Sequence, residues 1–216
     1  MTAATLPQPV LIDLVASKRF LGINLRSLLG VTFFAMLTAV LAQVSIPLSF
    51  TPVPITGQTL AVLLSGAALG PRLGSASQLL YIGLGAAGFS VFADRGSGIT
   101  SSGPNGAELI PTFGYLVGFV VAAYIVGVMA KRGQDRSAFS AIPAFLAGSV
   151  VIYIFGATFL SYSLDVPFAA PLDEASALAF GIAPFVIGDV LKALVAGLAL
   201  PAAWKLFGSS SASHVD

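Results

Sequence analysis

Cysteine is absent from the sequence, and histidine occurs only once, at His214 in a polar tail. Without cysteine the chain can form no disulfide bond, no thiolate metal site and no thiol nucleophile. A hydrolase would need a nucleophile beside a base, and no such pair can be named from the sequence. We therefore expect a protein that is not an enzyme and that holds neither a metal nor a cofactor.

Charge is equally scarce, since only 9% of the residues are charged and the net charge is +1. Such a balance gives no electrostatic reason to bind nucleic acid. A phosphate-binding loop of the GxxxxGK[ST] type is also absent, so any ATP used for transport must be bound by another polypeptide. Hydrophobic residues make up 56% of the chain, and the mean hydropathy is +0.95. These values predict an all-α integral membrane protein embedded in the lipid bilayer.

Apolar stretches divide the chain into six predicted spans, because a helix needs roughly 20 apolar residues to cross a bilayer core. They lie near residues 27–46, 55–70, 72–90, 111–130, 139–163 and 178–204. The second and third spans are joined by GPRLG, which predicts a tight turn between antiparallel helices. Residues 27–207 are thus predicted to form a six-helix domain. Residues 1–26 are predicted to be a cytoplasmic segment with an interfacial amphipathic helix as one interpretation, and residues 208–216 a disordered tail.

Basic residues predict the orientation, because Lys and Arg accumulate in short cytoplasmic loops. In a six-span arrangement eight of them fall on one side of the membrane: Lys18, Arg19, Arg26, Arg72, Lys131, Arg132, Arg136 and Lys205. The connections on the opposite side hold a single basic residue, Arg95. Both termini are therefore predicted to be cytoplasmic.

Asp189 and Lys192 interrupt the apolar stretch IGDVLKAL at residues 187–194. Ionisable side chains are costly within a bilayer and usually mark a functional site. At three residues apart on a helix the two side chains share one face, so they can flank one ligand or pair with each other. Asp189 precedes Lys205 by about 24 Å of helix, which predicts a pocket in the outer half of the membrane. An ion pair that only fixes helix packing is the alternative.

Two further stretches contain candidate ligand-binding residues. Gln58 follows TPVPIT at the predicted outer entrance of the second span, and its amide can both donate and accept hydrogen bonds. Helix entry with local backbone bonding is the alternative. In the long outer connection, Phe92 and Tyr115 could form pocket walls, or could only pack and anchor at the interface. Arg95 and Asn105 are the polar candidates there.

Ala35 and Ala39 form a pair of small residues four apart in the first span. Such spacing allows two membrane helices to approach closely. The partner helix could belong to another protein or to this chain, and the spacing does not decide between them.

Three stretches resemble the BioY family, the biotin-specific substrate-binding membrane components of energy-coupling-factor vitamin transporters. They are TPVPITGQTLAVLLSGAALGPRLGSASQLLYIGLGAAGFSVFA, PTFGYLVGF and GDVLKALVAGLALP, and the resemblance extends over most of residues 30–201. The run TPVPIT followed by QT is specific for this family when it occurs together with GD-x-x-K.

The resemblance implies a six-helix S component in a bacterial inner membrane that captures biotin from outside. It also implies partners, namely a transmembrane coupling protein and a pair of ATPases. Asp189 and Lys192 match the aspartate and lysine that contact the polar ends of biotin in the family, and Asn105 matches an outer-loop asparagine. Ala35 and Ala39 match the alanine motif that docks on the coupling protein.

Other functions stay open at this stage. The chain could carry another vitamin, or it could be an ion-coupled transporter of a small solute with Asp189 as the ion or proton site. It could act alone, as a homo-oligomer or with coupling partners.

The orientation predicts the labelling of introduced cysteines in intact cells. A cysteine at Ser102 should react with an impermeant maleimide from outside, whereas one at Ser137 should react only after the membrane is permeabilised, because the basic loops are cytoplasmic. The chain has no native cysteine, so any labelling comes from the introduced residue. The reverse labelling pattern would overturn the orientation.

Overall fold

Helices dominate the structure, a computed structural model that describes residues 8–14, 19–20, 23–103, 106–171 and 174–211. The helices are α1 (Leu25–Ala42), α2 (Gln58–Ala86), α3 (Phe113–Ala130), α4 (Ala138–Leu164), α5 (Ala177–Gly181) and α6 (Val186–Ser211). Two short 3-10 helices lie at Leu11–Leu14 and Ala93–Arg95. Three antiparallel ribbons pair β1 (Arg19–Phe20) with β2 (Ile23–Asn24), β3 (Ser45–Ile46) with β4 (Ile55–Thr56), and β5 (Thr100–Gly103) with β6 (Gly106–Leu109).

Four helical regions among the described residues are long and apolar enough to cross a membrane: Leu25–Ala42, Phe113–Ala130, Ala138–Leu164 and Ala177–Lys205. Their mean hydropathies lie between 1.8 and 2.1. The predicted class, a largely helical protein with several membrane-spanning helices, is therefore confirmed.

Helix α2 is a hairpin of two antiparallel arms, residues 58–69 and 71–86. The chain reverses at Gly70, whose φ of 79° lies in the left-handed region that glycine adopts at little cost, and Pro71 follows. The Gln58 amide donates to the Tyr81 hydroxyl at 2.6 Å. In a straight helix these residues would be about 35 Å apart, so the turn predicted from GPRLG is present.

Glycines allow the backbones of α2 and α3 to pack in direct contact. A Cβ atom on Gly74 would lie 2.8 Å from the Cα of Gly66 in the other arm, and one on Gly66 would collide with the carbonyl oxygen of Ala123 in α3. Real Cβ atoms do not approach other atoms so closely, and no side chain fits between these backbones. The first arm of α2 is consequently held in the centre of the bundle.

The region predicted as a single last span is divided into α5 and α6. The chain leaves helical geometry over residues 182–185, which include Pro184. Proline lacks a backbone N–H and disfavours helical geometry in the residue before it, so α6 begins only at Val186. The helix then continues to Ser211, beyond the predicted boundary at residue 207, and residues 212–216 lie outside the described residues.

The far end of α6 is fixed to the connection between α3 and α4. The indole N–H of Trp204 donates to the buried carboxylate of Asp135 at 2.6 Å, and the guanidinium of Arg136 lies 3.3 Å from the centre of the Trp204 ring. Burial raises the pKa of Asp135, and the indole hydrogen bond opposes that rise.

Ala35 and Ala39 are both buried within the chain, with 0% and 9% of their surfaces exposed. They belong to the hydrophobic core, so neither lies on the exposed face of α1. The structure therefore favours internal packing, the alternative that the sequence left open, over direct contact with a partner protein.

The described part of residues 1–26 is not one continuous amphipathic helix. It contains the 3-10 helix Leu11–Leu14 and the ribbon β1–β2. The guanidinium of Arg26 donates to the carboxylate of Asp13 at 3.5 Å, which folds this segment back against the start of α1.

We expect Gly66→Ala to lower the free energy of unfolding by about 1–3 kcal/mol, because the added methyl group cannot fit against α3. Gly83→Ala is the matched control in the other arm of α2, since a Cβ there meets no atom within 4 Å. Thermal unfolding of the two variants in detergent tests this expectation. Equal losses of stability in both variants would contradict the packing described here.

Candidate functional site

A cavity of ≈ 320 Å³ lies between α2, α3, α4 and α6 and is bordered by three connecting segments. These segments contribute residues within 52–56, which precede α2, within 92–98, which follow α2, and 110–112, which precede α3, while Gln58 and Thr59 line the cavity from the start of α2. The helical walls are Tyr115, Leu116, Phe119, Ile152, Tyr153, Asp189 and Lys192. A pocket of this size, largely apolar with a few converging polar groups, is typical of a small-molecule site.

Asp189 and Lys192 form an ion pair at this cavity, with 2.7 Å between the lysine Nζ and the aspartate Oδ1. Asp189 lies in the first turn of α6, because that helix begins at Val186. The N-terminal end of a helix stabilises a carboxylate through its free N–H groups and dipole. The aspartate is 4% exposed, and the lysine side chain is 19% exposed. The two residues singled out by the sequence are therefore in direct contact, and both border the cavity.

Two hydroxyl groups from other helices complete the surroundings of Asp189. Thr59 of α2 donates to Oδ1 at 3.0 Å, and Tyr153 of α4 donates to Oδ2 at 2.6 Å. Thr59 also accepts a hydrogen bond from Lys192 at 2.9 Å. Neither hydroxyl stands out in the sequence as a site residue, because a hydroxyl in an apolar span usually bonds its own backbone.

The polar cluster keeps unused hydrogen-bonding capacity. An ionised carboxylate offers about four acceptor positions, and an ammonium group has three donors. Asp189 accepts from Thr59, Tyr153 and Lys192, while Lys192 donates to Thr59 and Asp189. Counting the partners that the described residues provide, one acceptor position and one N–H remain, both on side chains that line the cavity. The pair can engage a ligand that presents a donor beside an acceptor.

Aromatic side chains form much of the apolar wall, as the sequence predicts for Phe92 and Tyr115. Phe92 is 7% exposed and packs edge-on against Tyr81, with the ring centres 5.4 Å apart. The Tyr115 hydroxyl donates to the carbonyl of Gly181 at 2.8 Å. The ring of Tyr115 can therefore contact a ligand, whereas its hydroxyl hydrogen is already bonded to Gly181.

Gln58 also lines the cavity, but its amide is largely occupied within the chain. The amide donates to the Tyr81 hydroxyl at 2.6 Å, and its oxygen accepts from Thr56 at 3.1 Å. One amide N–H remains for a ligand.

Arg95 does not line the cavity, contrary to the prediction from the sequence. The turn at residues 93–95 has positive φ at Asp94 and Arg95, which reverses the chain so that Asp94 borders the cavity and Arg95 is exposed. Asn105 lies outside the described residues.

Comparisons with known proteins identify the relatives of this chain. The BioY family model matches residues 15–209. A probable biotin transporter BioY of Lysinibacillus sphaericus is 36% identical over 186 residues, which cover 86% of this chain and 90% of that protein. The biotin transporter BioY of Thermotoga maritima is 34% identical over 176 residues, covering 81% and 93% of the two chains.

The fold is also similar to that of a solved protein, the S-component for biotin from an ECF-type ABC transporter, whose crystal structure was determined at 2.1 Å. The TM-score is 0.69 over 84% of this chain and 92% of that chain, at 22% sequence identity. The structural match covers most of both chains, and the family model extends over nearly the whole of this one. This protein belongs to the BioY family.

Proposed function

We propose that this protein takes up biotin, as the biotin-binding membrane component of an energy-coupling-factor transporter. The observation that carries the proposal is the Asp189–Lys192 pair, set at 2.7 Å in the wall of an otherwise apolar, ligand-sized cavity. Its BioY relatives, which are biotin transporters, support the choice of ligand.

Biotin presents the groups that this cavity can accept. Its thiophane ring and valeryl chain are apolar and suit the aromatic wall formed by Phe92, Tyr115 and Phe119. Its ureido ring has N–H donors directly beside a carbonyl acceptor. Asp189 has an acceptor position left and Lys192 an N–H left, on side chains that are paired with each other at the cavity, so one ureido group offers the donor and the acceptor that the pair can use.

The charge of the pair also favours the ureido ring over the carboxylate of biotin. Asp189 already compensates the charge of Lys192, so the pair as a whole is neutral. A neutral pair attracts an anionic group only weakly but forms hydrogen bonds with a neutral one. We therefore orient the ureido ring of biotin toward α6 and its carboxylate toward Gln58, which has an amide N–H available, and away from the Asp94 carboxylate.

The same geometry makes an ion-coupled transporter a weaker candidate. A coupling cation would have to bind at the carboxylate of Asp189, and the Nζ of Lys192 already occupies that position at 2.7 Å. An unpaired carboxylate would be expected at a site for an ion or a proton.

The membrane arrangement that goes with this function has six spans, with both termini in the cytoplasm of a bacterial cell and the protein in its inner membrane. The two arms of α2 serve as the second and third spans. The chain catalyses no reaction, and it takes its energy from a coupling protein with a pair of ATPases, since its sequence contains no phosphate-binding loop. A homo-oligomer is the alternative assembly.

The double variant Asp189→Asn/Lys192→Met should lose roughly 2–3 kcal/mol of biotin affinity, the scale of losing charge-assisted hydrogen bonds. This loss is about a 30- to 140-fold rise in Kd. Removing both charges avoids a stranded buried charge, so the variant should fold. Titration of the purified protein with radiolabelled biotin measures the effect, and thermal unfolding checks the fold.

The control is Asp13→Asn/Arg26→Met, which also exchanges an aspartate and a cation for Asn and Met, but at a longer and more exposed ion pair that does not line the cavity. It should leave the Kd for biotin unchanged. Wild-type affinity in the Asp189→Asn/Lys192→Met protein would show that the α6 pair has only a structural role.

The proposed ligand orientation predicts how the protein binds biotin amide, in which the carboxylate is neutral. If the ureido ring faces Asp189 and Lys192, the affinity lost through Asp189→Asn/Lys192→Met should be the same for biotin and for biotin amide. The two changes then act at separate places and their free energies add. If Lys192 binds the carboxylate instead, the variant should no longer distinguish the two ligands.

A further inference from the structure

The turn at residues 91–96 forms one wall of the cavity through Phe92 and Asp94. Its backbone is strained, because Asp94 and Arg95 are consecutive non-glycine residues with φ of 54° and 59°. Bonds within the turn are few: Phe92 N–H donates to the Gly96 carbonyl at 3.0 Å, and Gly96 N–H donates to the Ala93 carbonyl at 2.9 Å. A turn of this kind keeps its shape only if its surroundings hold it.

The side chain of Gln43, at the end of α1, supplies such contacts. Its two amide N–H groups face three carbonyl oxygens, those of Ala39 in α1 at 3.0 Å, of Phe92 at 3.1 Å and of Val91 at 3.4 Å. Its amide oxygen accepts from the backbone N–H of Arg95 at 3.2 Å. One side chain therefore engages both the start and the end of the strained turn.

The Phe92 ring packs directly against the backbone of α2 at Gly85. A Cβ atom on Gly85 would collide with this ring, so only glycine leaves room for it. Tyr81 contacts the ring edge-on, and the Tyr81 hydroxyl accepts a hydrogen bond from Gln58, which also lines the cavity. Displacement of Phe92 would leave a void beside Gly85 and would remove the ring contact of Tyr81, which is bonded to Gln58.

We propose that Gln43 is a positioning residue for ligand retention. It fixes the turn at 91–96 and thereby keeps the Phe92 ring in place as part of the cavity wall. Gln43 itself is exposed and does not line the cavity, so it acts on the ligand through Phe92. This inference rests on the proposed function, because the retained ligand is biotin.

The first test follows the turn without any ligand. A nitroxide on a cysteine introduced at Ser97, which lies just beyond the turn, reports the mobility of this segment in the full-length protein. Gln43→Leu should increase the mobility of the label, since the bonds to Val91, Phe92 and Arg95 are lost. Val44→Ala is the matched control at the next position, where the side chain is 61% exposed, and it should leave the spectrum unchanged.

The second test measures the release of radiolabelled biotin. Gln43→Leu should speed dissociation roughly ten-fold, the effect of losing one or two net hydrogen bonds, and change association by less than about two-fold. The melting temperature of the ligand-free protein should stay close to that of the wild type. Because Gln43 acts through Phe92, the double variant Gln43→Leu/Phe92→Ala should release biotin no faster than Phe92→Ala alone.

An unchanged label spectrum, an unchanged dissociation rate, or rate effects of Gln43→Leu and Phe92→Ala that multiply would each overturn the positioning role. If the wild-type protein bound no biotin, the proposed function would fail, and the retention role would fail with it. The two failures are distinguishable, because the first leaves wild-type biotin binding intact.

Discussion

Two opposite charges at 2.7 Å inside an apolar bundle are the constraint on which the rest of the site depends. Removing an ion pair from water costs several kcal/mol per ion, and only close geometry with further hydrogen bonds offsets that cost. Thr59 and Tyr153 supply those bonds from α2 and α4. The requirement to satisfy Asp189 therefore links three helices at the cavity, so that the ligand site and the packing of the bundle share the same contacts.

Features encoded locally could be predicted from the sequence. Hydropathy identifies the long helices, and the Gly70–Pro71 step marks the reversal within α2 because both residues act through their own backbone. Asp189 and Lys192 stand out because charge is rare in this chain. The contributions of Thr59 and Tyr153 could not be predicted in the same way, since their partner is 130 and 36 residues away and the contact exists only after helix packing.

Residue type alone does not specify the direction in which a side chain points or which element is its neighbour. Arg95 has suitable chemistry for a polar ligand, but two left-handed residues turn the chain and leave it exposed. The spacing of Ala35 and Ala39 indicates close helix contact, yet it cannot specify which helix is the neighbour. In the last span, hydropathy continues smoothly through the break near Pro184, because proline changes the backbone and barely changes the apolar character.

The first α2 arm is shorter than the hydrocarbon core of a bilayer is thick. Residues 58–69 make about 18 Å of helix, against about 30 Å of hydrocarbon thickness. Most of this arm is buried by other helices, so it need not match the bilayer. Gln58 and Thr59, the first two residues of the arm, line the cavity. A ligand that contacts them therefore lies at the N-terminal end of a helix that is too short to cross the hydrocarbon core by itself.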